Sequence, residues 1–273
     1  GILCLGDQNG DGFDDWGVDA WGWGNAGQPS EALTEFFHGG ISPSTTTYCG
    51  FRGSPDTVYY GCTAIGEVNG DGFLDWEIAI DTSTAVDFLI QIYFGGSDAD
   101  QVPELTWHLL DWRDSLIPIG DFNGDGFDDL YYYHWLADWG EAFFGGTLLD
   151  TIPDWSRHSP IDYPRQAWPF SVGDINGDGY SDWLSASHHV FWGGADPDTL
   201  PDLEGIPGVV INDLNGDGNA DLASGLEVRW GGNTISVQPD VLLTSPCQFP
   251  AGGSETGVGD INHDGRGDLV LSE

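Results

Sequence analysis

The amino-acid sequence predicts an all-β repeat fold: a β-propeller of about six four-stranded blades, with seven as the alternative. Three observations carry that expectation. One nine-residue acidic phrase recurs six times along the 273 residues. Its successive starts are separated by 60, 54, 53, 39 and 47 residues, and units near that length match a four-stranded blade. Glycine is abundant at 42 residues and tryptophan at 13, a composition suited to short strands joined by tight turns. The whole of 1–273 is therefore read as one domain of six repeats.

The acidic phrase reads DQNGDGFDD from Asp7, EVNGDGFLD from Glu67, DFNGDGFDD from Asp121, DINGDGYSD from Asp174, DLNGDGNAD from Asp213 and DINHDGRGD from Asp260. A second phrase follows five of these copies: FFHGG at Phe36–Gly40, YFGG at Tyr93–Gly96, FFGG at Phe143–Gly146, FWGG at Phe191–Gly194 and RWGG at Arg229–Gly232. A β-rich run ending in Gly-Gly reads as a strand entering a turn. The third unit shows the plan. Ser115–Gly120 is a strand leading into the acidic loop, Leu130–His134 a strand leaving it, and Glu141–Phe144 a third strand ending in the Gly-Gly turn. Leu105–Leu110, just upstream, is the outer fourth strand of the preceding unit. No window carries a long helical period.

The spacing D-x-N-x-D-G-x-x-D is a metal-loop pattern. Calcium takes six to eight oxygen ligands, and side chains at positions 1, 3 and 5 of a tight loop converge. Glycine at position 6 allows the sharp turn. Position 7 offers a backbone carbonyl, so its identity is free to vary, and position 9 closes the site. The candidate ligands are Asp7, Asn9, Asp11, Phe13 and Asp15 in the first loop and Glu67, Asn69, Asp71, Phe73 and Asp75 in the second. They are Asp121, Asn123, Asp125, Phe127 and Asp129 in the third, and Asp174, Asn176, Asp178, Tyr180 and Asp182 in the fourth. The fifth has Asp213, Asn215, Asp217, Asn219 and Asp221; the sixth has Asp260, Asn262, Asp264, Arg266 and Asp268. The expected cofactor is Ca²⁺, up to six ions. Glu67 is longer than Asp and alters the second site. His263 stands where the other loops have glycine at position 4. An EF-hand, which begins the same way, needs Glu at position 12. Here that position is Val18, Ile78, Tyr132, Ser185, Ser224 or Leu271, so the EF-hand is rejected.

Charge sets the class of partner. There are 45 acidic and 6 basic residues, for a formal charge of −39, and the basic residues are all arginine. Such a surface repels phosphate backbones and anionic membranes and attracts cations. Neither nucleic-acid binding nor membrane insertion is expected. No stretch approaches the roughly 18 apolar residues of a membrane span. The chain starts at Gly1 with no visible signal peptide, and reads as a processed form or an excised piece. Four scattered cysteines, Cys4, Cys49, Cys62 and Cys247, show no C-x-x-C spacing and favour disulfides in an oxidising compartment.

These G-D-x-N-G-D-G-x-x-D phrases with downstream FGG or WGG turns resemble the FG-GAP repeat family, including bacterial secreted (VCBS-type) repeats and the propeller of integrin α subunits. The resemblance covers essentially the whole chain. It implies a loop between the first two strands of each blade that binds Ca²⁺ through the residues named above. It also implies a secreted, extracellular module for adhesion, recognition or assembly, with a protein or glycan partner at the cell surface or matrix. Two departures stand out. Family propellers usually have seven blades against six loops here. The chain also stops after the second strand of its sixth unit, so either it is cut short or its open edge is completed by another chain, as in a filament. Cys49 and Cys62, 13 residues apart, are the favoured pair, leaving Cys4 with Cys247 to staple the ends, though four cysteines allow three connectivities.

No catalytic motif emerges. The seven histidines, His38, His108, His134, His158, His188, His189 and His263, form no zinc pattern, and no serine sits in G-x-S-x-G. His188-His189 reads as a strand entry. Trp16, Trp76 and Trp183 directly follow loop position 9 and read as core, with Trp192 and Trp230 structural in the Gly-Gly turns. Trp21, Trp23, Trp107, Trp112, Trp135, Trp139, Trp155 and Trp168 are less constrained, and inter-blade packing competes with sugar stacking for them. The sequence therefore points to a non-enzymatic calcium-binding structural or recognition module. The alternative is a carbohydrate-binding module or the non-catalytic part of a polysaccharide-acting enzyme.

Overall fold

The computed structural model describes residues 2–20, 33–52, 57–82, 87–97, 100–109, 111, 114–134, 139–158, 169–197, 200–244, 255–257 and 260–271. All regular secondary structure among them is β, in twenty-two strands. Each sheet is an antiparallel meander in chain order. The first joins β1 (Ile2–Gly6), β2 (Asp15–Ala20), β3 (Leu33–Phe37) and β4 (Thr47–Arg52). The second joins β5 (Thr57–Gly66), β6 (Asp75–Thr82), β7 (Asp87–Tyr93) and β8 (Leu105–Leu109). The third joins β9 (Ser115–Gly120), β10 (Asp129–Tyr133), β11 (Trp139–Phe143) and β12 (Trp155–His158).

The fourth sheet comprises β13 (Pro169–Gly173), β14 (Asp182–Ser185), β15 (His189–Phe191) and β16 (Leu203–Glu204). The fifth comprises β17 (Val209–Ile211), β18 (Asp221–Ser224), β19 (Glu227–Arg229) and β20 (Val241–Leu242). A two-stranded sheet pairs β21 (Glu255–Gly257) with β22 (Leu269–Leu271). The acidic phrase lies between the first two strands of each sheet, and the Gly-Gly phrase follows the third strand in the five complete ones. The strands expected at Ser115–Gly120, Leu130–His134 and Leu105–Leu110 are β9, β10 and β8, to within a residue at their ends.

The chain divides into two compact units, one of residues 1–118 and 127–156, the other of 119–126 and 157–273. In the first unit, alternation along β6 and β7 gives the second sheet two apolar faces. One face carries Trp76, Ile78, Ile80 and Tyr93, packed with Leu5, Phe36 and Phe51 of the first sheet. The other carries Ile65, Ile90, Ile92 and Trp107, packed with Leu116, Leu130, Tyr132 and Phe143 of the third. In the second unit, Ile175, Leu184 and Val190 pack with Leu222 and the half-buried Val210 of the next sheet. Burying one such side chain stabilises the fold by about 1.5–3 kcal/mol. The core roles expected for Trp76 and Trp183 hold, since both are fully buried. Trp16 is half-buried and stacks on Phe37 at 4.6 Å. Trp107 belongs to the core. Trp21, Trp23, Trp112, Trp135 and Trp168 lie outside the described residues, as does the side chain of Trp139.

Backbone hydrogen bonds join successive repeats at equivalent places. The carbonyl at loop position 1 accepts the N–H at position 8 of the next loop. In the first unit this bond runs from Asp128 to Glu67 (2.9 Å). In the second it runs from Ser181 to Asp121, Ala220 to Asp174 and Gly267 to Asp213 (2.8, 2.8 and 2.6 Å). The position 2 carbonyl accepts the N–H of the next repeat's second turn glycine: Gly146 to Val68, Gly194 to Phe122 and Gly232 to Ile175. At the first repeat a side chain replaces the carbonyl, and Gly96 N–H donates to Gln8 Oε1 at 2.7 Å. Gln8 is buried and its amide donates in turn to the Leu5 and Leu74 carbonyls.

The cysteine expectation is corrected. Cys4, Cys49 and Cys62 are free thiols. Cys49 and Cys62 do enter the same core cluster, from strands of two different sheets. They serve there as small apolar groups, and burial pushes both thiols above their ordinary range, away from the reactive thiolate. The proposed Cys4–Cys247 pair lies outside the described residues, because Cys247 does.

Candidate metal centres

Each acidic loop is organised by its own side-chain oxygens. The carboxylate at position 1 accepts N–H groups from across the loop. Asp7 takes those of Asp11 and Gly12 at 3.0 and 2.7 Å. Asp121, Asp174, Asp213 and Asp260 accept from the same two positions of their own loops. Glu67 differs as its length demands: Oε1 alone gathers the N–H groups of Asn69, Gly70 and Asp71. At position 3, Asn9, Asn69, Asn123, Asn176, Asn215 and Asn262 each accept the position 5 N–H at 2.8–2.9 Å. At position 5, Asp11, Asp71, Asp178, Asp217 and Asp264 accept the position 7 N–H. In the third loop the unit division falls between Gly126 and Phe127, with Asp121, Asn123 and Asp125 on one side and Asp129 on the other.

Position 9 has a second role that the spacing alone did not show. Asp15, Asp75, Asp129, Asp182 and Asp221 are all buried. One carboxylate oxygen accepts the position 2 N–H of its own loop. Asp75 takes that of Val68 at 2.9 Å, and Asp15, Asp182 and Asp221 repeat the pattern. The other oxygen accepts the N–H of the first turn glycine: Gly39, Gly95, Gly145, Gly193 or Gly231, at 2.6–2.9 Å. The carboxylate thus clasps the acidic loop to the Gly-Gly turn. Asp268 in the sixth loop is half-buried and holds the Ile261 N–H at 2.8 Å.

Burial separates the carboxylates electrostatically. Desolvation pushes Asp75 and Asp182 up to about 7, and raises Asp221. Asp7 is lowered, chiefly by the Gly12 N–H, and Asp217 chiefly by the Asn219 N–H. A buried carboxylate beside a half-buried and an exposed one is a charge arrangement that a proton or a cation relieves. The donor set is all oxygen: carboxylate, amide and backbone carbonyl. That suits a hard cation such as Ca²⁺ and not a thiophilic metal. Oδ1 of Asp121, Asp174 and Asp213 already accepts two N–H groups, whereas Oδ2 of each accepts one and keeps a further lone pair. Among the described residues no three His, Cys, Asp or Glu side chains are drawn together into a ready-made metal cluster. Mutual repulsion favours such spreading among carboxylates that share a loop.

Position 7 also does more than offer a carbonyl. From the third loop on, its side chain lies against the position 4 glycine of the preceding loop, whereas Gly10 of the first loop has open space around it. A Cβ on Gly70 would run into the Phe127 ring, and one on Gly177 would meet the Asn219 amide. In the same way Tyr180 covers Gly124, and Arg266 lies beside Gly216. Position 4 glycines also have positive φ, from 73° to 85°. His263 takes that conformation at φ 61° with an exposed side chain.

One further recurrent group escaped the sequence reading. Ten residues after the aromatic that precedes Gly-Gly stands an acid whose carboxylate accepts that aromatic's N–H. The pairs are Phe94 with Glu104, Phe144 with Asp154, Trp192 with Asp202 and Trp230 with Asp240, at 2.8–3.0 Å. Its signal was present as Pro-Glu or Pro-Asp at 103–104, 153–154, 201–202 and 239–240. In the first repeat His38 takes the aromatic's place. Its Nδ1 lies 3.0 Å from Asn9 Nδ2 and 3.2 Å from Asp15 Oδ2, and its ring stacks on Tyr48. His134, by contrast, is a core histidine between Asp114 (3.8 Å) and Glu141 (3.6 Å). His189 opens β15, as a strand entry should.

No family model and no curated protein matches the chain.

Proposed function

We propose that the chain is a calcium-rigidified repeat module, built as a β-propeller of the FG-GAP kind, that works outside the cell in recognition or assembly. The carrying observation is the position 9 carboxylate. It recurs buried in five repeats and ties each acidic loop to its turn. A buried carboxylate among other carboxylates calls for a cation, and the surrounding oxygens are of the type calcium takes. Five four-stranded meanders of similar plan, joined through equivalent loop carbonyls, support the propeller reading. A working place outside the cell is part of this proposal, since calcium-binding modules can work there even at weak affinity. In this reading the carboxylates act as scaffolding and the module acts by binding. Isothermal titration of the chelator-stripped chain with CaCl₂ tests the reading. Several equivalents of heat-releasing or heat-absorbing binding are expected, reduced by one equivalent in Asp178→Ala. No saturable binding at millimolar calcium would overturn it.

A further inference from the structure

Within the first unit, a cleft of about 680 Å³ opens between the first and second sheets. It contains none of the acidic-loop residues. Strand β4 runs along it from Thr47 to Arg52, and β3 contributes Glu35. Gln91 of β7 and Gln101 of the following loop face it from the second sheet. Its volume lies within the range of small-molecule sites, roughly 300–1,000 Å³.

The lining decides the class of ligand. Arg52 is one of only six basic residues in the chain, and its guanidinium meets the Glu35 carboxylate at 3.0 Å. The two charges cancel, so neither an anion nor a cation is favoured by net charge. An apolar ligand would strip water from an ion pair and two amides without replacing their hydrogen bonds. A neutral polyhydroxylated ligand meets donors on Arg52 and the glutamine amides, and acceptors on Glu35 and the glutamine carbonyls. Tyr48, half-buried and stacked on His38, and the buried Tyr93, whose hydroxyl donates to Gln91 Oε1 at 2.8 Å, also line the cleft. An extended peptide adding to the edge of β4 is disfavoured. The Gly50 carbonyl already accepts from Gln101 Nε2 at 2.6 Å, and Cys49 Sγ lies 3.9 Å from the Asp100 carbonyl.

We infer that this cleft is a saccharide-binding site for a neutral hexose unit, held by Arg52, Glu35, Gln91 and Gln101. It goes beyond the calcium reading and does not depend on it. The test is titration of the full chain in calcium-containing buffer with lactose, cellobiose and maltose, and with sodium acetate and an extended alanine-rich peptide as contrasts. Binding is followed by calorimetry and by amide chemical shifts. At least one disaccharide should bind and shift resonances of β4 and of 91–103. Arg52→Ala and Gln101→Ala should each weaken it up to roughly tenfold, the worth of one hydrogen bond, with unchanged circular dichroism. Three outcomes would overturn the inference: no disaccharide bound, saccharide binding unaffected by both variants, or binding of only the acetate or the peptide.

Discussion

At the residue scale, two buried or strained side chains give direct tests. His263 occupies a left-handed conformation that the five other loops give to glycine, and an L-residue there is strained by about 1–2 kcal/mol. His263→Gly should therefore stabilise the chain, by up to ~1 kcal/mol after glycine's extra unfolded-state freedom. Urea titration reads the shift, and a lower midpoint would refute the strain argument. Glu77 lies on β6 opposite Ile92, buried, with Oε2 making no hydrogen bond. Desolvation pushes it from 4.5 to about 8. Asp75 and Asp182 are pushed from 3.8 to about 7 by the same cause. A raised carboxyl contributes stability that is present below its unfolded value and lost as pH rises through its folded value. The metal-free chain should lose stability between about pH 4 and pH 8. Calcium should remove the part due to the two aspartates. Glu77→Gln should remove the part due to Glu77. A metal-free midpoint that is flat or rising over that interval would contradict the burial account.

At the scale of the loop and strand, the repeated phrase was legible because a tight turn constrains sequence locally. Positions 1, 3 and 5 answer N–H groups only two to five residues away, so the spacing alone reveals them. The β9, β10 and β8 strands were legible for the same reason, each bounded by an acidic or Gly-Gly turn. What stayed hidden involves partners distant in sequence. The grip of Asp75 on Gly95 spans 20 residues, and the packing of Phe127 on Gly70 spans 57. Cys49 and Cys62 misled because an even count does not tell a bonded pair from two thiols buried as small apolar groups. The loop glycines separate two physical demands. Gly70 has φ 85° and no room for a Cβ, whereas Gly72 has φ 90° and open space around it. Gly72→Ala should cost about 1–2 kcal/mol from backbone strain alone. Gly70→Ala should cost about 2–5 kcal/mol, because the Phe127 ring must also move. Equal losses in thermal melts would show that the ring does not press on the loop.

At the scale of the molecule, five repeats carry the same clasp and equivalent hydrogen bonds tie repeats to their neighbours, so stability is shared along the chain. Trp183, fully buried and stacked on Phe191 at 4.1 Å, is a core element of that kind. Trp183→Ala should cost about 3–5 kcal/mol. The acidic excess works against the array, because a charge of −39 repels itself in the compact state. On the calcium proposal, cations bound in the loops would offset this and relieve the buried position 9 carboxylates at once. Binding to the folded chain alone must then raise its stability by mass action. The central claim is tested most directly by calorimetric melting at neutral pH and fixed ionic strength, with millimolar calcium and again with excess chelator. A melting temperature lowered by many degrees in chelator, and restored by calcium but not by magnesium, is the predicted result. The same melting temperature in both would contradict the calcium account.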